Sequence, residues 1–202
     1  MEAFIASSAA GPTGARVGPT RVLGLGNELV ADDAAGVVAA RRVAEHLGAD
    51  AAAPPVARDL DSALVARVFE VPGIGTVEIV ETALTGMYLV EAIVGACRLI
   101  VLDSVVSGTA APGTVRELTE RDLAGARGGS PHGIGLLEAL DLARALGLEA
   151  PVDVRFVTVE AGDSVTIGGA MTARVSEAVD LVVDRAIAII GQGRSGALPM
   201  VQ

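Results

Sequence analysis

The sequence predicts a three-layer α/β/α sandwich around a twisted, mostly parallel sheet of about five strands with one antiparallel edge strand. Three observations point there. Apolar runs such as "RVLGLG" and "RLIVLDSV" are continuous rather than alternating, as strands covered on both faces are. Stretches of helical content separate these runs, which is the rhythm of parallel strands joined by crossover helices. The composition is 51% hydrophobic but only 2% aromatic, so the layers must pack through Ala, Val, Leu and Ile.

Arg21–Gly26 opens the domain as a buried strand that ends in glycines. Asp33–Leu47 follows as a helix, with Gly48 where a helix stop belongs. Ala49–Gly75 reads as an insertion or irregular connection, with a short helix at Asp61–Phe69 and a "VPGIG" turn. Thr76–Val80 is a strand, "TGMYLVEAIVGA" a helix and "RLIVLDSV" the central strand. "APGTVREL" is a turn and a short strand, which the Pro-Gly return allows to run antiparallel at a sheet edge. A helix over Pro131–Leu146, a strand over Val152–Val159 and an amphipathic helix over Thr172–Ile190 complete the order. Residues 1–20 form a flexible lead-in, 21–191 one domain with 49–75 as its insertion, and 192–202 a loose tail.

The net charge of −10 and the absence of any basic run argue against a nucleic-acid partner. Cys97 is the single cysteine, which excludes an internal disulfide and a thiolate zinc cage and suits a reducing, cytoplasmic setting. Glu91, Arg98 and Asp103 interrupt the most apolar region, so no membrane span is expected. Glu2 and the lack of a basic start argue against a signal peptide. "GLGNEL" begins like a dinucleotide fingerprint, but Leu29 stands where the third glycine belongs. No G-x-S-x-G nucleophile elbow is present. Cys97, among apolar neighbours, reads as a buried small hydrophobe, and His46 as compensation for a helix dipole.

Ligands of open parallel sheets gather at the carboxyl ends of the strands. In this chain that edge collects Asp32 and Asp33 after the first strand, Glu81 after the second and Asp103 after the third. "GGSPHG" adds His132, with Ser130 as an N-cap and Pro131 at the first helical position. The positive end of a helix disfavours imidazolium, and neutral imidazole is the form that binds metals. Two carboxylates and such an imidazole make an open oxygen and nitrogen site for a divalent metal such as Ni or Zn. Without thiolate, the site can share its metal with another molecule.

"VLGLGNELVADDAAGVVAARRVAE", "LIVLDSVVSGTAAPGTVREL" and "SPHGIGLLEALDLARALG" together resemble the [NiFe]-hydrogenase maturation endopeptidases. That family shows, in this order, a G-x-G-N-x-L-x-x-D-[DE] loop, an apolar strand ending in Asp-[AS], a Pro-Gly-Thr turn and an [SP]-x-H-x-x-[GL] helix start. The resemblance implies an enzyme that cuts the C-terminal extension from a hydrogenase large-subunit precursor once nickel has been inserted. It implies Asp33, Asp103 and His132 as the metal-contacting residues, with nickel supplied by the precursor; the donor set itself also suits other divalent metals such as Zn in vitro. Asp32 and Glu81 are candidate general bases. The family's acid in a D-G-G-T-x-G segment falls at Glu81, within "ETALTGM", where only Gly86 and the general shape remain. A monomer engaging one large subunit is the simplest expectation. The rival class is a non-catalytic chaperone that senses nickel through the same three residues. A peptidyl-tRNA hydrolase also begins with a "GLGN" loop, but its Pro-Gly and N-terminal His are missing and the acidic charge disfavours tRNA.

Overall fold

A computed structural model describes residues 18–48, 64–124 and 131–192, without the side chains of 124 and 131–134. Most of the lead-in, residues 49–63 of the expected insertion, Ser130 and nearly all of the C-terminal tail lie outside the described residues.

Six strands form one sheet: β1 (Thr20–Leu25), β2 (Leu64–Val71), β3 (Gly75–Thr82), β4 (Arg98–Val105), β5 (Val115–Thr119) and β6 (Asp153–Glu160). Their order is β2-β3-β1-β4-β6-β5. The four inner strands are parallel, while β2 and β5 run antiparallel at the two edges. The expected edge strand after Pro-Gly is therefore present as β5. The second edge is a correction. Where a short helix was expected over Asp61–Phe69, the chain from Leu64 is strand, and β2 turns at Gly73 (φ 79°) into a hairpin with β3.

Helices α1 (Ala35–His46) and α5 (Ala173–Gly191) cover one face, and α2 (Leu89–Ile93) and α4 (Pro131–Ala145) cover the other. A short α3 (Glu120–Ala124) follows β5. The helix expected over "TGMYLVEAIVGA" is shorter than its apolar content suggested. Gly95 takes φ 86°, a left-handed conformation, and turns the chain toward β4 soon after α2 ends. α5 buries Val175, Val179, Val182, Val183, Ala186, Ile189 and Ile190, the three- and four-residue spacing of one helical stripe.

Each fully buried Leu or Ile of the two cores contributes about 1.5–3 kcal/mol. Leu23, Leu25, Leu99, Val101 and Phe156 point to the α2/α4 face, and Val22, Ile79, Ile100, Leu102 and Val157 to the α1/α5 face. Arg21 ties the first of these layers together. Its guanidinium pairs with Glu78 at 2.6 Å and donates to the carbonyls of Ala92 and Val94 at the end of α2. No helix among the described residues is long and apolar enough to cross a membrane.

Candidate functional site

From β1 the chain passes to β3 on one side and later to β4 on the other, with α1 and α2 on opposite faces of the sheet. β1 and β4 thus flank the point where the winding reverses, and loops leaving their carboxyl ends diverge to open a crevice. The loop after β1 carries Asp33, and β4 carries Asp103 and Ser104 just before its last residue, Val105.

Two glycines bring the acid turn down onto the strand ends. Gly26 has φ 141°, and a Cβ there would stand 1.8 Å from the Asp33 carbonyl. A Cβ on Gly36 would lie 2.2 Å from the Leu25 carbonyl and 2.3 Å from that of Leu102. The first turn of α1 is therefore seated directly across β1 and β4. Ahead of it, Ala31–Ala34 form a 3₁₀ turn that presents both acids. The Asp33 carboxylate is half-buried. It accepts the Asn27 N–H at 2.8 Å through Oδ2, and the Ser104 hydroxyl donates to Oδ1 at 3.5 Å. The ends of β1 and β4 are thereby joined through Asp33.

Asp103 is 2% exposed and follows the parity of Leu99 and Val101, which places it on the face covered by α4. Thr158 is its register partner on β6, and the Thr158 hydroxyl has no hydrogen-bond partner among the described residues. α4 begins at Pro131 as expected, so His132 occupies its first turn. A Cβ on Gly135 would stand 2.6 Å from the Gly86 nitrogen, so that end of α4 rests on the loop leaving β3. The fold brings the His132 backbone to the same face and edge as Asp103; the His132 side chain lies outside the described residues. Among the described residues, no group of three or more His, Cys, Asp or Glu side chains is arranged to hold a metal. Cys97 precedes β4 and His46 ends α1, both at the opposite edge of the sheet. Cys97 is half-buried rather than enclosed.

The remaining acids of this edge are committed to holding structure. Asp32 is 0% exposed and collects four hydrogen bonds. The N–H groups of Gly162 and Asp163 each donate to Oδ2 at 2.8 Å, the Thr172 N–H donates to Oδ1 at 2.7 Å, and its hydroxyl donates to Oδ2 at 3.0 Å. An ionised carboxylate has about four acceptor sites, so Asp32 is saturated by the loop between β6 and α5. Glu160, unremarked in the sequence, does the same for the loop after β4, accepting the N–H groups of Ser107 and Gly108 at 2.9 Å and the Ser107 hydroxyl at 2.6 Å.

Glu81 is buried on the α1 face, opposite to Asp103. It pairs with Arg41 at 2.7 Å and with Arg67 of β2. Arg41 also donates to Glu28, and that hydrogen bond holds the Glu28 carboxyl below its usual range. Hydrogen bonds from Arg41 to Glu28 and Glu81 raise its own guanidinium further still. The Glu28 end is exposed and contributes at most about 1 kcal/mol. The Glu81 end is enclosed, so Glu81→Gln, which leaves two guanidinium groups half-compensated, should cost about 2 kcal/mol. A urea midpoint unchanged from wild type would show that the cluster contributes nothing. Arg41 and Arg67 carried no signal in the sequence because both partners are far from them along the chain.

A doubly wound sheet with Asp33 beside the end of β4 at its reversal point defines the class: a doubly wound α/β protein, a fold whose ligands bind at the carboxyl ends of the strands. The family model described as hydrogenase maturation protease (HycI) matches residues 62–189, more than half of the chain. The chain belongs to the hydrogenase maturation protease family, a group of peptide-bond hydrolases. Among solved structures, it is similar to the hydrogenase maturating endopeptidase HybD from E. coli, with 24% identity over 86% of this chain and 93% of that one, and a TM-score of 0.64. It is also similar to the [NiFe] hydrogenase maturation protease HybD from Thermococcus kodakarensis, with 21% identity, 85% and 99% coverage and a TM-score of 0.57. The HycI protease from Thermococcus kodakarensis KOD1 follows at 14% identity, 86% and 92% coverage and a TM-score of 0.56. These structures share the fold. A comparison with curated protein sequences gives no significant match.

Proposed function

We propose that this chain is the endopeptidase that removes the C-terminal extension of a [NiFe]-hydrogenase large-subunit precursor after nickel insertion, and that it recognises the inserted nickel. The observation that supports this most is the contact of Asp33 with Ser104, the residue next to Asp103 on β4, at the reversal point of the sheet in a chain of the maturation protease family. Nickel is here part of the substrate. Asp33 and Asp103 offer it carboxylate oxygen and His132 offers imidazole nitrogen, a set without thiolate that leaves coordination positions to the precursor's own ligands. A cation held there can polarise the scissile carbonyl or acidify a water. With Asp32 and Glu81 committed to the loop and the arginine pair, proton transfer falls to Asp33, Asp103 or His132.

The test is intact-mass measurement of the precursor incubated with the purified protein, with and without nickel, beside a His132→Ala variant. Shortening of the nickel-loaded precursor alone, lost in the variant, is the expected result. A precursor that binds only when nickel-loaded yet keeps its full mass would instead make the protein a nickel-sensing chaperone.

A further inference from the structure

The loop that Asp32 holds has a surface with no use inside the molecule. Val165 is 81% exposed and Ile167 80%, while Leu29, in the segment paired with that loop, is 66% exposed. Single exposed apolar side chains are ordinary. These differ because the backbone beneath them is fastened at many points. Val30 and Ile167 form an antiparallel bridge, the Ala31 N–H donates to the Thr166 carbonyl at 3.1 Å, and the Gly168 N–H donates to the Leu29 carbonyl at 2.7 Å. Asp163 stiffens the tip by accepting the N–H groups of Val165 and Thr166 at 3.1 and 3.0 Å, and its backbone carbonyl accepts the Asp32 N–H at 2.9 Å. Branched side chains held outward on a pre-ordered loop lose little entropy when another surface covers them.

We propose that Val165 and Ile167, supported by the Asp32 clamp, grip an apolar segment of the precursor polypeptide beside the bond to be cut. This rests on the function proposed above. The occupant follows from position: the loop is laid directly on residues 29–32, the approach to Asp33, so a polypeptide chain seated at Asp33 runs against it. The grip is a specificity element and takes no part in bond breaking.

The test compares wild type with a V165S/I167S double variant, using Val152→Ser, an exposed valine at the opposite edge of the sheet, as control. Steady-state cleavage of nickel-loaded precursor and its binding to the immobilised protein are both measured. The double variant is expected to raise KM and Kd about tenfold or more, ~1.4 kcal/mol per tenfold, with kcat within twofold and the melting temperature unchanged. The control should match wild type. KM and Kd within twofold of wild type would overturn the grip while leaving the protease reading intact. If wild type binds the precursor but never cuts it, the protease reading fails, and the tenfold difference in Kd alone decides the grip. Absence of binding by wild type, or equal weakening by Val152→Ser, overturns the grip.

Discussion

Asp32→Ala is expected to be the most destabilising single substitution at this edge, with a loss of roughly 4 kcal/mol or more, a large part of the ~5–15 kcal/mol that holds a domain folded. The reasoning is a donor count. Asp32 satisfies the N–H groups of Gly162, Asp163 and Thr172 and the Thr172 hydroxyl, and it is fully enclosed. Hydrogen bonds to a charged acceptor contribute about 1.5–3 kcal/mol each, and donors left unpaired cost about 1–3 kcal/mol each, although the terms do not simply add. The loop partly opens to water once released, which keeps the total below the sum. Asp32→Asn keeps one oxygen but turns an amide N–H₂ toward donors, so it should lose about half as much. At ~2–4 °C per kcal/mol, alanine should lower the melting temperature by roughly 10 °C or more. A drop below 2 °C would show that the loop stands without its clamp.

The neighbouring substitution should behave in the opposite way. Asp33→Asn is expected to leave stability within about 1 kcal/mol, because the amide oxygen can still accept the Asn27 N–H and Asp33 is only half-buried. Processing of nickel-loaded precursor should fall roughly a hundredfold or more, ~2.7 kcal/mol in the barrier, because an amide lacks the charge that meets a cation. Adjacent aspartates thus give separate readouts, one in melting temperature and one in precursor mass. Wild-type processing by Asp33→Asn would remove Asp33 from the proposed site. Loss of processing together with a collapse in melting temperature would make it a second clamp.

Much of the sheet was legible from the chain alone. β4 matches "RLIVLDSV" residue for residue, because a strand covered on both faces leaves an uninterrupted apolar run. The edge strand after Pro-Gly was equally readable from its turn chemistry. β2 was not. Leu64 and Ala66 pack against one core while Phe69 and Val71 pack against the other, and Arg67 lies between them to reach Glu81. Half-covered residues on both faces give no clean period, so the pairing with β3 has no local signature.

The site divides along the same line. Residue type, order and spacing by themselves determined that Asp32, Asp33, Glu81, Asp103 and the start of the His132 helix come to one edge, because parallel strands deliver all their carboxyl ends to the same side. Only the tertiary structure decided which acids are occupied. Asp32 and Asp33 are identical and adjacent, yet one points inward to donors some 130–140 positions away while the other faces Ser104 across the crevice. Glu81 is held by arginines on another helix and another strand. A carboxylate's role is set by the donors and charges that surround it in space, and these partners come from loops and elements that meet only once the chain has folded.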